Sequence, residues 1–501
     1  MNAAAPIYLD YAATTPVDAA VAAVMSECLT LAGSFGNPSS AHAFGRAAAQ
    51  RVADARAQVA ALIGASPEEI VFTSGATESN NLAILGVAAA TADRRRHLIT
   101  MRTEHKAVLD PCRHLERHGA QITYLAPEAS GALPPQALAA ALRPDTVLVS
   151  IMCVNNETGV RQDIAALAAL CRARGVTFHS DAAQAPARMA LDVRALGVDF
   201  LSLTAHKVYG PKGIGALYVR AGARNRLQPV SFGGGQERAL RPGTLAVHQI
   251  AGFGAACELL RQSQPAEARR LGELGERLWQ GLSGLGGVHR NGAQAPRVPG
   301  IENISFEGVE GESLFSALDG LALSTGSACN SATREPSYVL RALGRDARLA
   351  ESSLRFSLGR FSTAAEVDRA VSEVRQVVER LRASSPAGPQ AAGWGDAGAA
   401  GSVIGEAGAQ AEGTWVRFQL LIEGDSVKEA RCLTFACPHT VDTAQWLCER
   451  LRGRSRRDLI PGAPQEWALA RAVPVEKLGR LLVVEDALRA CLTRWNEGAT
   501  M

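Results

Sequence analysis

The sequence predicts an α/β protein built on a mainly parallel central sheet. Through about the first 260 residues, continuous apolar runs rich in Val, Ile and Leu alternate with segments of helical periodicity. Continuous runs are typical of strands that helices cover on both faces, as in parallel sheets. The runs predicted as strands are 70–73, 97–101, 147–154, 176–179, 200–203 and 214–219. From about 265 to 381, amphipathic helices with a few strands indicate a second, smaller domain.

Length, charge and cysteine usage restrict the class of protein. The chain has 501 residues and a net charge of +3, from 52 basic and 49 acidic side chains. This balance gives no reason to expect nucleic acid or a membrane as the main partner. No apolar stretch approaches the roughly 20 residues of a membrane span, and residues 1–9 lack signal-peptide features. The 10 cysteines are scattered, which argues against a disulfide framework. We therefore expect a cytoplasmic protein.

The composition of the chain changes after about residue 382. Residues 383–412 are dominated by Ala, Gly, Ser, Pro and Gln, which predicts a flexible linker. Beyond it, apolar residues alternate from Val416 to Ile422 before a Gly424-Asp425 turn, which predicts a hairpin. An apolar stripe from Val441 to Leu451 predicts a helix. We therefore expect a main unit at 1–382 and an α+β module at 413–501.

Five of the predicted strands are followed by residues suited to binding a ligand. In an open parallel sheet the ligand site lies beyond the carboxyl ends of the strands. These residues are therefore expected to converge on one crevice. They are Ala76 with Thr77, His105, Asn156, Asp181 with Gln184, and His206 with Lys207.

The segment 70–81 is predicted to form a phosphate cradle of strand, small-residue turn and helix start. Gly75 and Ala76 allow backbone N–H groups to approach an anion, Thr77 adds a hydroxyl, and the helix presents its positive end. An ordinary capped helix is the alternative.

The remaining side chains fit pyridoxal phosphate. Lys207 lies between an apolar strand and a Gly/Pro turn, which provide the partial desolvation and rigid support that a Schiff-base lysine needs. Asp181 can keep the pyridinium nitrogen protonated, and His105 can stack on the ring and move protons. Gln184 can hydrogen-bond the ring hydroxyl. Each residue alone also has a structural explanation, such as a surface lysine in a loop.

Six ordered motifs carry a resemblance to a known family. The motifs are 8–16, 35–40, 74–78, 103–106, 233–238 and 355–360. Over about residues 6–382 the chain resembles cysteine desulfurases of the class-V aminotransferase family, of the long-loop type used in iron–sulfur cluster assembly. The resemblance implies a homodimeric fold-type I pyridoxal-phosphate enzyme. It also implies a large cofactor domain at about 15–262 and a small domain from the N-terminal strip plus about 263–382.

The resemblance also implies roles for individual residues. Those implied to bind the phosphate are Ala76, Thr77, Thr204 and His206, with Thr244 reaching the phosphate of the partner subunit. Asn156 and Arg355 are implied to bind the substrate, although an arginine in a strand could instead form a structural ion pair. The family usually has Ser-Gly where this chain has Thr204-Ala205, so a hydroxyl is kept.

Cys329 lies in a run of small polar residues with no apolar face to cover its thiol. We interpret it as a mobile nucleophile that attacks the sulfur of L-cysteine, leaving L-alanine and an enzyme persulfide. The sulfur would go to acceptor proteins such as an iron–sulfur scaffold. No resident metal is expected, with Cys329 as a possible transient cluster ligand. An idle surface cysteine, a selenocysteine lyase and a non-catalytic assembly subunit are the alternatives.

The C-terminal module resembles a shortened, diverged iron–sulfur scaffold domain. The resemblance rests on 413–420, 434–437 and 484–487. Scaffolds hold a cluster with three cysteines, of which only Cys437 has a match here, because Glu412 and Arg480 occupy the other two positions. Stable cluster assembly is therefore not expected. The module either receives sulfur on Cys437 or occupies the acceptor site, with a tethered relic as the alternative.

Overall fold

The structure is a computed structural model that describes residues 5–91, 96–325, 336–383 and 401–498. Within these ranges, no helix combines the length and the apolar character needed to traverse a bilayer. The strands are β1 Ile7–Tyr8, β2 Ile70–Thr73, β3 His97–Met101, β4 Gln121–Leu125, β5 Thr146–Ser150, β6 Thr177–Asp181, β7 Phe200–Thr204, β8 Gly215–Val219, β9 Val288–Arg290, β10 Ile301–Phe306, β11 Leu321–Ala322, β12 Ser324–Thr325, β13 Ser353–Ser357, β14 Ser402–Ala409, β15 Thr414–Glu423 and β16 Ser426–Phe435.

Helices make up most of the remaining described structure. Short 3₁₀ turns connect several of the elements. The helices are α1 Ala19–Glu27, α2 Ala43–Leu62, α3 Ala76–Ala90, α4 Lys106–Arg117, α5 Pro135–Ala141, α6 Ile164–Ala173, α7 Val193–Leu196, α8 Val247–Ser283, α9 Gly311–Ser316, α10 Tyr338–Ala342, α11 Ala347–Glu351, α12 Ala364–Ala383, α13 Pro438–Leu451, α14 Pro464–Ala470 and α15 Leu478–Gly498.

A seven-stranded sheet in the order β2-β8-β7-β6-β5-β3-β4 forms the centre of the large domain. Only β8, among these seven strands, runs antiparallel to its neighbours. Adjacent residues of one strand, such as Phe200 and Leu201, are buried in separate cores on the two faces. Burial on both faces explains the continuous apolar runs, and the predicted α/β fold is confirmed.

The small domain is built on the antiparallel sheet β12-β13-β10-β9. Its core contains Phe306 and Phe356 together with Ile7 and Leu9 from the start of the chain. The 37-residue helix α8 runs through both domains. Its first part is buried in the large core and its last part in the small core, with Pro265 between them.

The C-terminal module is a three-stranded antiparallel sheet, β14-β15-β16, that packs on helices α13 and α15. The predicted hairpin and the predicted helix are confirmed as β15–β16 and α13. The predicted linker 383–412 is wrong at its end, because Ser402–Ala409 form strand β14. A Cβ on Gly405 would lie 2.4 Å from the carbonyl oxygen of Ala487. Small residues are therefore present here because helix α15 packs against the strand backbone.

The module docks on the small domain beside helix α9. Ser313 donates a 2.7 Å hydrogen bond to the carbonyl oxygen of Ala436. Lys477, which is only 4% exposed, forms a 2.5 Å ion pair with Glu312. Arg480 lies 3.4 Å from Glu310. A buried lysine requires a paired charge, so Lys477 and Glu312 form a specific interdomain contact.

Candidate active site

A cavity of about 550 Å³ opens beyond the carboxyl ends of β2, β3, β5, β6 and β7. The predicted convergence on one crevice is therefore observed. Predicted site residues that line it are Ala76, Thr77, His105, Asn156, Asp181, Gln184, Thr204, His206, Lys207 and Arg355. Their positions agree with the sequence analysis, and their individual roles stay predictions.

The phosphate cradle consists of the turn before α3 and the end of β7. Gly75 has φ +153°, a conformation that L side chains rarely adopt, and caps the 15-residue helix α3 without a side-chain hydrogen bond. A Cβ on Gly215 would lie 2.6 Å from Gly75 Cα. Glycine at both positions therefore allows β8 to pass close behind a helix N-terminus that is suited to an anion.

Thr204 lies opposite this turn. Its Oγ1 is buried and has no hydrogen-bond partner among the described residues. A buried hydroxyl without a partner costs about 1–3 kcal/mol, so its retention needs an explanation. A phosphate oxygen bound at the start of α3 would supply the missing partner, and the cradle therefore fits the phosphate of pyridoxal phosphate.

Asp181 is held rigidly at the end of β6. Asn80 Nδ2 donates a 2.7 Å hydrogen bond to Oδ2, and the Ala183 amide donates a 2.9 Å bond to Oδ1. These two hydrogen bonds fix the carboxyl group of Asp181 in the cavity wall, where a pyridinium nitrogen would need an acceptor. Asn80 lies within the predicted cradle segment 70–81, but its contact with Asp181 depends on how α3 packs against β6 and could not be predicted locally.

Burial lowers the pKa of both cavity histidines, His105 and His206. Burial is the largest influence on His105 and lowers its pKa. Its Nδ1 accepts a 3.1 Å hydrogen bond from the Ala107 amide at the start of α4, so neutral His105 carries its proton on Nε2. Burial, followed by the charges of Lys207 and Lys212, lowers the pKa of His206 to about 4.

Lys207 ends a 3₁₀ turn that directly follows β7. The backbone after it is fixed by Tyr209, whose φ of +65° is uncommon for a tyrosine. The Tyr209 amide donates a 2.8 Å bond to Thr15 Oγ1, and the Tyr209 hydroxyl accepts a 2.5 Å bond from the Arg360 amide. These contacts hold the Tyr209 backbone in a strained conformation. Lys207 therefore lies on a rigid support, as the sequence analysis expects.

Arg355 is 3% exposed and its three nitrogens have different environments. Nη2 forms a 2.7 Å ion pair with Asp10, and Nη1 donates a 3.0 Å hydrogen bond to the Asn156 carbonyl. Nε is buried without a partner among the described residues. The structural ion pair left open by the sequence analysis is therefore present. The unpaired Nε remains available to a substrate carboxylate.

Three predicted contacts remain untested in this structure, those of Gln184, Thr244 and Cys329. Gln184 Nε2 donates a 2.8 Å hydrogen bond to the Ala12 carbonyl, which fixes its side chain at the cavity wall. Thr244 is exposed and does not line this cavity, and a single chain does not test its predicted contact with a partner subunit. Cys329 lies outside the described residues.

The cavity wall also includes residues to which the sequence analysis gave no role. Among them are Thr14, Met152, Glu157, Lys212 and Tyr338. Glu157 directly follows Asn156, which the sequence analysis predicted from its position after a strand. Tyr338 comes from a distant part of the chain, so only the packing of α10 reveals it.

The family model described as "Aminotransferase class-V" matches residues 7–370. The protein named "Cysteine desulfurase IscS" of Proteus mirabilis (strain HI4320) is 56% identical over 382 residues, which cover 76% of this chain and 95% of that protein. The protein of the same name from Serratia proteamaculans (strain 568) has the same identity and coverage.

A solved structure titled "NIFS-LIKE PROTEIN" superposes with a TM-score of 0.70 and 34% identity, covering 75% of this chain and all of that one. A second, titled "SspA in complex with cysteine", gives a TM-score of 0.65 and 39% identity, covering 71% of this chain and 100% of that one. The family model ends before the C-terminal module begins.

Proposed function

The chain belongs to the class-V aminotransferase family, and from that premise we propose that it is a pyridoxal-phosphate-dependent cysteine desulfurase. It converts L-cysteine to L-alanine and holds the sulfur as a persulfide on Cys329. The observation that carries the proposal is the 56% identity, across 95% of their length, to proteins named cysteine desulfurase. The cavity supports it, because Lys207, Asp181 and His105 lie together there.

When bound, pyridoxal phosphate supplies an electron sink for the carbon atoms of the substrate. The start of α3 and the Thr204 hydroxyl would bind the phosphate, and Lys207 would hold the cofactor covalently. Asp181 would keep a proton on the ring nitrogen, while His105 would give or take a proton at Nε2. Arg355, with Asn156 beside it, orients the substrate carboxylate.

The Cys329 thiolate then forms an S–S bond with the substrate sulfur while the substrate C–S bond breaks. Protonation of the carbon gives alanine, and the persulfide stays on the enzyme. Strand β12 supports this assignment, because Ser324 pairs with Arg355 of β13. Cys329 follows Thr325 by four residues, which extend at most about 14 Å. This short separation in sequence between Cys329 and a strand that pairs with Arg355 supports the assignment.

Anaerobic turnover of L-cysteine by the full chain tests this function. Equal amounts of alanine and sulfide are expected with a thiol reductant present, and Cys329→Ala is expected to abolish sulfide while keeping the bound cofactor. Cys112→Ala is the matched control, because Cys112 is buried outside the cavity. Unchanged sulfide release from Cys329→Ala would overturn the assignment.

The enzyme acts as a homodimer in this proposal, with Thr244 reaching the partner's phosphate. Its exposure in the single chain supports that role, since a residue that completes a neighbouring site must lie at the surface. Thr244→Val is therefore expected to bind the cofactor more weakly than the wild type. The ratio of the two affinities measures the contribution of the Thr244 hydroxyl to phosphate binding.

The C-terminal module is, in this proposal, a scaffold-like domain. It occupies the surface of its own small domain, beside helix α9, that an acceptor protein would otherwise bind; we call this surface the acceptor face. Cys437 is fully buried, 3.3 Å from Thr440 Oγ1, and lies close enough to Arg480 to influence its charge. Burial lowers the pKa of Arg480, but Cys437 and Glu310 outweigh it and raise the pKa above its usual value. The resemblance aligned Arg480 with a cluster ligand, and its closeness to Cys437 supports that alignment.

A guanidinium does not ligate iron, and a buried Cys437 is shielded from a persulfide. Both features favour occupation of the acceptor face over sulfur receipt. Turnover with ³⁵S-cysteine, followed by mass spectrometry of the peptides, is expected to place label on Cys329 only. Label on Cys437 would instead favour a sulfur relay to the module.

A further inference from the structure

Two hydrogen bonds tie the first turn of helix α10 to the active-site cavity. Tyr338 Oη donates a 2.7 Å hydrogen bond to the Glu104 carbonyl oxygen. The Ser337 hydroxyl donates to the Glu157 carboxyl group. Ser337 Oγ also accepts the Leu340 amide at 3.1 Å, so the same oxygen caps α10. We call these contacts, formed by Ser337, Tyr338, Glu104 and Glu157, the α10 anchor.

Both acceptors of the α10 anchor adjoin predicted site residues. Glu104 directly precedes His105, and Glu157 directly follows Asn156. Tyr338 and Glu157 themselves line the cavity. The anchor therefore connects one short helix to the two loops that carry the proton-transfer histidine and a substrate-binding asparagine.

Other contacts make these two loops rigid. Glu104 is fully buried, and its Oε1 accepts a 2.8 Å hydrogen bond from the Met152 amide. Asn155 Nδ2 donates a 3.0 Å bond to the Thr103 carbonyl. The loops after β3 and β5 therefore form one hydrogen-bonded unit, and the anchor attaches α10 to that unit rather than to a single flexible loop.

Two buried carboxyl groups in this unit are costly, since each must give up hydration. Burial raises the pKa of Glu157 to about 7, against the opposing effects of the Ser337 hydrogen bond and of Arg355. Burial likewise raises the pKa of Glu104 well above its usual value. A fold that needed only a packed wall here would gain stability from apolar residues, so a positioning role accounts for their presence.

The helix that the anchor fixes begins nine residues after Cys329 in the sequence. Strand β12, which precedes Cys329 in the sequence, pairs Ser324 with Arg355 and Thr325 with Leu354. We propose that the α10 anchor makes Tyr338 and Glu157 positioning residues for sulfur transfer, by fixing α10 to the loops of His105 and Asn156. This proposal rests on the proposed desulfurase function.

Tyr338→Phe tests the anchor by removing one hydroxyl. Loss of a hydrogen bond of this kind corresponds to about a five- to tenfold change in an equilibrium or rate. The rate of persulfide formation on Cys329 in a single turnover is expected to fall by that factor. Cofactor content and the cysteine concentration for half-saturation are expected to stay within about twofold. Tyr124→Phe is the matched control, because Tyr124 bonds Glu116 and lies outside the cavity.

Glu157 provides an independent test. Glu157→Gln keeps an oxygen that accepts the Ser337 hydroxyl and is expected to retain persulfide formation within about threefold, whereas Glu157→Ala is expected to lose tenfold or more. Equal losses in both variants would show that the carboxylate charge, and not the anchor, matters. That result would overturn the proposal.

Hydrogen exchange of the cofactor-free protein separates this proposal from the desulfurase assignment. The amides of Leu340–Ala342 are expected to exchange about five- to tenfold faster in Tyr338→Phe than in wild type or Tyr124→Phe. Unchanged exchange together with unchanged persulfide formation would overturn the anchor. A wild-type protein that forms no persulfide would overturn the desulfurase assignment instead, and the exchange result would still decide whether the anchor exists.

Discussion

Thr204 Oγ1 lies 3.8 Å from the position that a Cβ would take on Gly75. The hydroxyl therefore faces a glycine turn at a helix N-terminus, buried and without a partner in the described part of the chain. This arrangement is costly in the cofactor-free protein and becomes favourable only when an anion is bound.

Thr204→Val is expected to have opposite effects on stability and on cofactor binding. Replacing an unsatisfied buried hydroxyl by a methyl group keeps or raises the thermal midpoint of the cofactor-free protein. Loss of a hydrogen bond to a charged phosphate lowers cofactor affinity about tenfold or more. Thermal denaturation and a cofactor titration measure the two effects.

Thr100→Val is the control for that experiment. Thr100 Oγ1 is buried but donates a 2.9 Å hydrogen bond to the Ser150 carbonyl, so its loss is expected to lower the thermal midpoint. A lower midpoint in Thr204→Val as well would contradict the interpretation of Thr204 as an unsatisfied group.

Lys207→Ala is expected to abolish covalent attachment of pyridoxal phosphate. After borohydride reduction, mass spectrometry is expected to find the cofactor on the wild-type peptide that contains Lys207 and on none in the variant. Lys212→Ala is the matched control, because Lys212 also lines the cavity but is expected to leave the attachment intact. Cofactor on Lys212 in the wild type would refute the assignment.

Acid is expected to destabilise the large domain through His179. Its ring lies between Ser150 Oγ at 2.8 Å and Ser202 Oγ at 2.9 Å, and burial lowers its pKa to about 4. Below pH of about 6.5 the unfolded chain binds a proton that the folded chain does not. The contribution of His179 to the free energy of unfolding is therefore complete above that pH and falls by up to about 1.4 kcal/mol per pH unit as the pH drops toward 4.

Thermal midpoints measured between pH 7.5 and 4.5 check this dependence. His179→Asn is expected to show a shallower decline than wild type, whereas His114→Asn, which changes an exposed histidine, is expected to keep the wild-type slope. Equal slopes in all three proteins would exclude His179 as the responsible group.

Glu312→Gln is expected to release the C-terminal module from the small domain. It leaves the buried Lys477 ammonium without its ion-pair partner, which costs about 3 kcal/mol or more. The rate at which iodoacetamide alkylates Cys437 is expected to rise at least tenfold. Glu423→Gln is the control, because Glu423 and Lys428 form an exposed pair that contributes little. Equal alkylation in both variants would mean that Glu312 does not hold the module.

The sequence predicted those features that depend on local pattern. Strands buried on both faces, such as β3 and β7, have continuous apolar runs, and the carboxyl ends of the strands locate the cavity. Strand β4 was missed because it is the last strand of the sheet and its residues are only partly buried. Strand β14 was missed because its glycine and small residues are typical of a linker. Gly405 is present because helix α15 packs directly against the backbone of the strand.

Contacts between residues far apart in the sequence could not be predicted from one chain. Tyr338 meets Glu104 across 234 positions, and no periodicity or motif signals such a pair. The same holds for the ion pair of Lys477 and Glu312. In the sequence alone, neither residue differs from the charged residues on the solvent-exposed face of an ordinary helix.

Helix α8, at 37 residues, is about 55 Å long and contributes to the cores of both domains. A change in the angle between the two domains would therefore require this helix to bend or twist. Pro265 lacks an amide hydrogen, so the backbone ladder is already interrupted there. Pro265 is therefore the position in α8 where the helix is expected to bend most easily, and a substitution there would act on the relation between the two domains without altering a group that lines the cavity.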